Sequence, residues 1–389
     1  MCGQAIIRCA RTLSQIPRPN SMPLHAAFEN QEAQFAHAFA IICEAIEQRA
    51  FPGAALAVTH KGALVASQGF GRFTYDDHSP PVQAETIFDV ASLTKVLATT
   101  AIAMLLYERG RLSLDEPLLT TLPEFGTLAS QEQRAWRARV TLRMLLAHSS
   151  GMPAYEKLFQ RAGSREELLR AALTTPLVSE PGTRAEYSDI GFILLGAILE
   201  RKARASLDAY AEAKIFQPLG MSHTLFNPVQ ALRGQIPPTE DDRNFRKRVV
   251  QGEVNDENAY VMGGVAGHAG LFAPATDVAQ FAECMLRGGA LVFKQETVQM
   301  FTRRESSPPG TTRALGWDTP SRPESSSGRL FSERSFGHLG FTGTSLWIDP
   351  ERKLSVTFLT NRTWPDRKSQ LIREVRPRVH DAIVEALEE

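Results

Sequence analysis

The chain has 389 residues, 43% of them hydrophobic, with 43 basic and 43 acidic side chains. That length supports a large core and about two domains. The balanced charge gives no footprint for nucleic acid or for an anionic membrane surface.

The first twenty residues carry Arg8, Arg11 and Arg18, and their only apolar run is Ala5-Ile6-Ile7, too short for a secretory core segment. No stretch reaches the length of a membrane span. The expectation is a cytoplasmic protein, with export left open should translation start elsewhere. Cys2, Cys9, Cys43 and Cys284 form no Cys-x-x-Cys pair, and no His-x-x-x-His or His-Glu-x-x-His spacing occurs. Neither a disulfide framework nor a metal site is expected, and no cofactor.

Residues 30–50 place Phe35, Phe39, Ile42, Ala45 and Ile46 at helical spacing. Pro52-Gly53 breaks that helix. Strands are expected at 54–59 and 63–67, joined by a turn at His60-Lys61-Gly62. A polar loop, 75–85, leads to Asp89-Val90-Ala91-Ser92-Leu93-Thr94-Lys95 and an apolar helical run from Val96 to Leu106. That helix stops at Arg109-Gly110. A polar helical segment follows, then a short helix within 140–152, with Thr141 at its cap and a tight turn at Gly151.

Residues 155–230 read as mostly helical, with Tyr187-Ser188-Asp189 leading into an apolar helix from Phe192 to Leu199. Residues 234–260 are charged and irregular. The glycine-dense stretch 263–270 lacks the Lys-Ser/Thr ending of a phosphate loop and follows no strand, so nucleotide binding is rejected. A helix is expected over 276–287, and 304–328, rich in Ser, Pro, Thr and Gly, as a long surface loop. Strands at 335–340, 344–348 and 354–360 and a helix over 368–387 close the chain. The last hairpin turns at Asp349-Pro350-Glu351-Arg352.

The expected fold class is therefore α+β: an antiparallel sheet formed by both chain ends and flanked by helices, with an all-helical lobe inserted. The expected division is a loose segment 1–30, a sheet domain from 31–110 and 271–389, and a helical lobe over 111–270. The cleft between sheet and lobe is the natural place for chemistry on a small-molecule or peptide substrate.

Ser92 and Lys95 stand three apart and share a helix face, so the hydroxyl and the amine come within reach of each other. A serine becomes a nucleophile once a neighbour takes its proton, and a desolvated lysine is such a neighbour. An N-capping serine beside an exposed lysine is the plainer reading of the pair alone. His148 reads as a histidine fixing a loop beneath the site, with a base as the alternative. His268 is left without a role.

Three elements recur in chain order: Ser92-Leu93-Thr94-Lys95, Tyr187-Ser188-Asp189 and His338-Leu339-Gly340. This set resembles the motifs of the serine β-lactamase and penicillin-binding-protein superfamily. With tyrosine in the second motif it is most similar to the class C β-lactamase and esterase branch, over about residues 35–385. The stretches 252–260, 264–272 and 337–345 look most like penicillin-binding-protein-4B-type serine hydrolases.

The resemblance implies Ser92 as nucleophile, Lys95 as proton acceptor or relay, and Tyr187 as general base, its phenol lowered by the adjacent ammonium. It implies an oxyanion hole from the backbone amides of Ser92 and Phe341. Gly340 would keep the strand edge open to substrate, and His338, where many relatives have lysine, would donate one hydrogen bond to Tyr187 or to a substrate carboxylate. Two departures bear on substrate. Asp189 replaces an asparagine and can only accept hydrogen bonds, or can anchor Lys95 and raise its pKa. Leu339 replaces a hydroxyl residue. Both favour ester or D-amino-acid peptide chemistry over penicillin hydrolysis. A slow-turnover penicillin binder and a non-catalytic sensor retaining the fold are the alternatives.

Overall fold

The structure is a computed structural model and describes residues 24–388. Most of the segment expected to be loose, with Cys2 and Cys9, lies outside the described residues.

In chain order the strands are β1 (His25–Ala26), β2 (Gly53–His60), β3 (Ala63–Gly71), β4 (Phe88–Asp89), β5 (Leu225–Phe226), β6 (Glu240–Asp242), β7 (Arg248–Val250), β8 (Leu271–Ala273), β9 (Phe336–Leu339), β10 (Ser345–Asp349) and β11 (Leu354–Thr360). The main sheet runs β1-β3-β2-β11-β10-β9. Its centre joins the two ends of the chain, with Leu56 opposite Phe358 and Val58 opposite Val356. All its pairings are antiparallel except the short edge strand β1, which lies parallel to β3.

Strand alternation explains the layers. Ala54, Leu56 and Val58 of β2, with Leu354, Val356 and Phe358 of β11, enter the core under the helices Ala36–Glu47 and Ile372–Glu388. Ala55 and Ala57 point to the other face, where the helix Ala275–Leu286 packs. Helices thus flank the sheet on both faces, as the sequence pattern implies. The middle of the chain is helical. Its axis is Asp189–Ala203, in which Ile190 to Leu199 are all buried; a helix apolar on every side is a core helix.

Three segments differ from expectation. Residues 240–250 form a β6–β7 ribbon rather than an irregular stretch. Gln295–Thr302 is a helix that the sequence reading passed over. The segment 304–328 is not wholly a surface loop. Ala314, Leu315 and Trp317 are buried, and Asp318 bridges to Gly337 at the start of β9. Ser and Pro dominate its composition and mask a four-residue apolar insert.

Candidate active site

A second small sheet, β4-β8-β5, brings the end of β4 beside the glycine-dense loop. From β4 the chain turns sharply. Ala91 has φ +47°, in the left-handed region. Such strain persists where the surroundings fix it. Here the Ala91 amide donates to Asp89 Oδ1 at 2.8 Å, and Thr94 Oγ1 donates to the Ala91 carbonyl at 2.6 Å. Ser92 then sits in a 3-10 turn, Ala91–Leu93, and Lys95 opens a π-helical turn, Lys95–Thr100. The spacing of three still aligns the two side chains.

Lys95 Nζ donates to Ser92 Oγ at 3.0 Å, to Asp189 Oδ1 at 2.7 Å and to the His268 carbonyl at 2.9 Å. Tyr187 Oη donates to Ser92 Oγ at 2.7 Å. The hydroxyl, the amine and the phenol, from widely separated positions, therefore meet at one point. Asp189 is the first residue of its helix, and Ser188 caps that helix by accepting from the Gly191 amide. The cap fixes Tyr187 on one side and Asp189 on the other.

The electrostatics choose between the two readings of Lys95 and depart from the expectation for Tyr187. Asp189 anchors Lys95, yet the lysine is pulled below its ordinary value, because burial outweighs the raising effect of the carboxylate. Tyr187 is pushed well above the ordinary phenol value, first by burial and then by Asp189. The ammonium lies over the tyrosine ring, 4.8 Å from its centre, and does not lower the phenol as expected. The resting phenol is neutral.

His338, on β9, is buried, and burial first, then Lys95 and Arg313, bring it down to about 3. Its Nδ1–H donates to the Leu339 carbonyl at 2.8 Å, which leaves Nε2 as a bare acceptor with no partner among the described residues. The expected donation to Tyr187 or to a carboxylate is therefore not available. Gly340 also has a different reason from the one expected. A Cβ there would stand 1.9 Å from Thr344 Oγ1 and 2.7 Å from the Val90 carbonyl. The glycine lets the turn after β9 close on the Ser92 turn, where Thr342 Oγ1 donates to the Asp89 carbonyl and Thr344 Oγ1 to the Val90 carbonyl. Phe341, next in that turn, is half exposed. Ser92, Tyr187, Asp189, His338, Gly340 and Phe341 all line one cleft of about 730 Å³.

Asp89, Arg313 and His268 carried no role in the sequence reading, whereas His148 reads there as fixing a loop beneath the site. Asp89 accepts from the Ala91 and Asn255 amides, and burial pushes it up to about 6 against their pull. Arg313 lines the cleft and lies 5.7 Å over the Tyr187 ring, delivered by the segment read as a surface loop. His268 Nε2 bonds Asp256 Oδ1 at 2.8 Å; burial would raise that carboxyl, but His268 holds it down to about 2. His148 accepts the Ser188 amide on Nδ1 and stacks between Tyr187 and Phe192, so it fixes the loop beneath the site. Motif spacing could not flag Asp89, Arg313 or His268, since each acts through a contact made only in the fold. Among the described residues no cluster of potential ligands could hold a metal, and no helix is long and apolar enough to cross a membrane.

A protein-family model described as Beta-lactamase matches residues 38–377. The chain belongs to the Beta-lactamase family. Family members are serine hydrolases, and this chain is an enzyme of that class. It is 34% identical over 344 residues to an N-acetylmuramyl-L-alanine amidase of Bacillus subtilis, covering 80% of this chain and 77% of that one. It is equally identical, over 348 residues, to a putative D-alanyl-D-alanine carboxypeptidase of Escherichia coli K12, covering 80% and 79%. Among solved structures, a class C β-lactamase from Rhodobacter sphaeroides shares the fold with a TM-score of 0.69 at 22% identity, covering 92% of this chain and 99% of that one.

Proposed function

We propose that this β-lactamase-family enzyme cleaves ester or peptide acyl carbonyls through an acyl-enzyme on Ser92. The observation that carries the reading is the Ser92 hydroxyl, 3.0 Å from the Lys95 amine and 2.7 Å from the Tyr187 phenol at the floor of the cleft.

The pKa directions support the following proton assignment. Burial lowers the Lys95 pKa, so its ammonium sheds a proton more readily than an ordinary lysine, and the neutral amine so formed takes the Ser92 proton as Oγ attacks the carbonyl carbon. The amides of Ser92 and Phe341 hold the developing oxyanion. Tyr187, neutral at rest, gives its proton to the leaving group. The acyl-enzyme then holds a lysine ammonium beside a tyrosine phenolate. The phenolate takes a proton from the attacking water, and the ammonium returns one to Ser92 as the acyl group departs. Each group ends as it began.

Asp189 is engaged with Lys95 and can only accept, so it offers nothing to a substrate amide carbonyl. Leu339 supplies no hydroxyl, and His338 no charge. These features favour esters or peptides over β-lactams. The amidase and the putative carboxypeptidase among the relatives, as their names state, act on amide bonds, which supports D-amino-acid peptides among the substrates.

The test is incubation with p-nitrophenyl butyrate, with a D-alanyl peptide and with a fluorescent penicillin, using the parent protein and Ser92→Ala. Turnover of the ester or the peptide that disappears in Ser92→Ala is expected. A stable penicillin label without turnover replaces this reading with that of a slow acylating binder. Neither turnover nor label in folded protein removes the acyl-enzyme altogether.

A further inference from the structure

Asp256 and His268 line the cleft beside Lys95, yet neither side chain has a part in the proton transfers proposed above. They stand on two segments that meet at the lysine. His268 belongs to the glycine-dense loop, and its backbone carbonyl accepts from Lys95 Nζ at 2.9 Å. Its ring is buried, and Nε2–H donates to Asp256 Oδ1 at 2.8 Å. Asp256 caps the helix Glu257–Val261, the same Oδ1 accepting from the Ala259 amide at 2.7 Å. The residue before it, Asn255, donates its amide to Asp89 Oδ2 at 2.6 Å, and Asp89 Oδ1 holds the Ala91 amide of the Ser92 turn. The dipeptide Asn255-Asp256 therefore braces both the turn that carries the nucleophile and the loop that carries an acceptor for the lysine.

That loop has little else to hold it. His268 is the only polar side chain in 263–270. Gly267 fits so closely against the helix Asp189–Ala203 that a Cβ there would stand 2.2 Å from the Phe192 carbonyl oxygen, and its own carbonyl accepts from Thr99 Oγ1 at 2.6 Å. The next carbonyl, that of His268, is fixed through the ring. Freed from Asp256, the peptide could turn that carbonyl away from Nζ and leave the amine to Ser92 and Asp189.

We propose that Asp256 and His268 form a positioning pair for the lysine: the carboxylate fixes the ring, and the ring fixes the carbonyl that holds Nζ against Ser92 Oγ. This deepens the hydrolase reading above and rests on it for the reaction. The pair also acts through charge. Lys95 is faced by Asp189 from its helix, by Asp256 from the 255–256 segment, by Arg313 from the 304–328 segment and by His338 from β9; His148 and Tyr187 complete the set. The two carboxylates favour the ammonium and Arg313 opposes it. Asp189 does so in contact, Asp256 without an ion pair to the amine.

The experiment follows hydrolysis of p-nitrophenyl butyrate as a function of pH. His268→Leu keeps bulk and removes the donor to Asp256. Its kcat should fall about tenfold with KM within about twofold, because a misplaced reacting group costs rate rather than binding. His268→Gln, whose amide nitrogen can stand where Nε2 stands, should recover kcat to within about threefold of the parent. Asp256→Asn is the sharper variant, since asparagine caps a helix as well as aspartate does. Oδ1 remains an acceptor for both bonds, and Oδ2 has no hydrogen-bond partner among the described residues. The change removes the charge, so the acid limb of kcat/KM, which follows deprotonation of Lys95, should move to lower pH. A limb that stays in place in Asp256→Asn, or a loss in His268→Leu that falls on KM instead of kcat, overturns the proposal. Should the parent turn over no ester, the hydrolase reading fails separately. The Lys95 ε-carbon, identified by NMR as the resonance missing from Lys95→Met, then reports on the pair directly. A titration midpoint lower in Asp256→Asn than in the parent supports the pair, and equal midpoints overturn it.

Discussion

The interior of the main sheet and the floor of the cleft are both closed to solvent, but they are dry for different reasons. Leu56, Val58, Val356 and Phe358 are fully buried and offer only apolar surface to one another. Lys95, His148, His268 and His338 are buried nearly as deeply, and each is held by named hydrogen bonds. In the sheet, burial itself supplies the stabilisation and no single contact is essential. On the cleft floor burial is a penalty, offset only where each donor meets its acceptor. The first region should tolerate exchange of one apolar side chain for another of like volume, but not a loss of volume. The second should tolerate neither, and its losses should appear in rate before they appear in folding.

Lys95→Met tests that division most severely. It keeps length and apolar bulk and removes the charge. Ester turnover should fall by about 10⁴-fold, since the amine touches the nucleophile and is the proposed proton acceptor. Folding should suffer less, because the Asp189 left behind faces the cleft, with its side chain 16% exposed, and regains water. Comparable losses of rate and stability would erase the distinction between the two regions. Tyr187→Phe comes next, with a fall of about 10²–10³-fold. Steady-state turnover and single-turnover acylation separate its roles. If the phenol serves the leaving group and then the water, a good leaving group such as p-nitrophenolate should spare acylation more than deacylation, and acyl-enzyme should accumulate. Activity within a few-fold of the parent would take Tyr187 out of the mechanism.

Leu56→Ala is the counterpart in the sheet. It opens a cavity in the central strand, and urea denaturation should show a loss of about 2–5 kcal/mol. The kcat of the folded fraction should stay within about twofold, since sites without shared partners act independently. A rate loss like that of Lys95→Met would mean that sheet packing sets the catalytic geometry directly.

The same contrast explains what could be read from the sequence. The sheet was legible because its evidence is local: alternation in 54–59 and 354–360 shows which residues share a face, and both strands formed in the fold. The meeting of Ser92, Lys95 and Tyr187 was legible only through the ordered motifs, since no periodicity links positions so far apart. What escaped depends on tertiary contacts. The sign of the tyrosine shift follows from how deeply Tyr187 is buried and from Asp189 beside it, not from its being near a lysine. Arg313 reaches the cleft because Ala314, Leu315 and Trp317 anchor a segment whose composition reads as solvent loop. Gly340 was expected to keep the strand edge open to substrate, and the fold gives it a packing reason as well. The crowding neighbours are Thr344 and Val90, known only once the turn is folded.

The smallest expected effect concerns His338, where the two regions meet on β9. Burial keeps its ring neutral in the folded protein down to about pH 3. In the unfolded chain the ring takes up a proton below about pH 6.5. Between those values the unfolded state binds more protons, so stability falls as pH falls, and it is fully retained above the unfolded value. From pH 7 to pH 5 this histidine should remove about 2 kcal/mol. His380, on the buried face of the C-terminal helix and also brought down to about 3 by burial, has the same sign. The parent slope alone therefore cannot isolate His338, but the difference in slope between the parent and His338→Gln can. Between pH 7 and pH 5 the parent's urea midpoint should fall relative to that of His338→Gln, whatever their offset at pH 7. Parallel curves would mean that His338 is protonated within the fold, and the third motif would then carry a positive charge to the substrate after all.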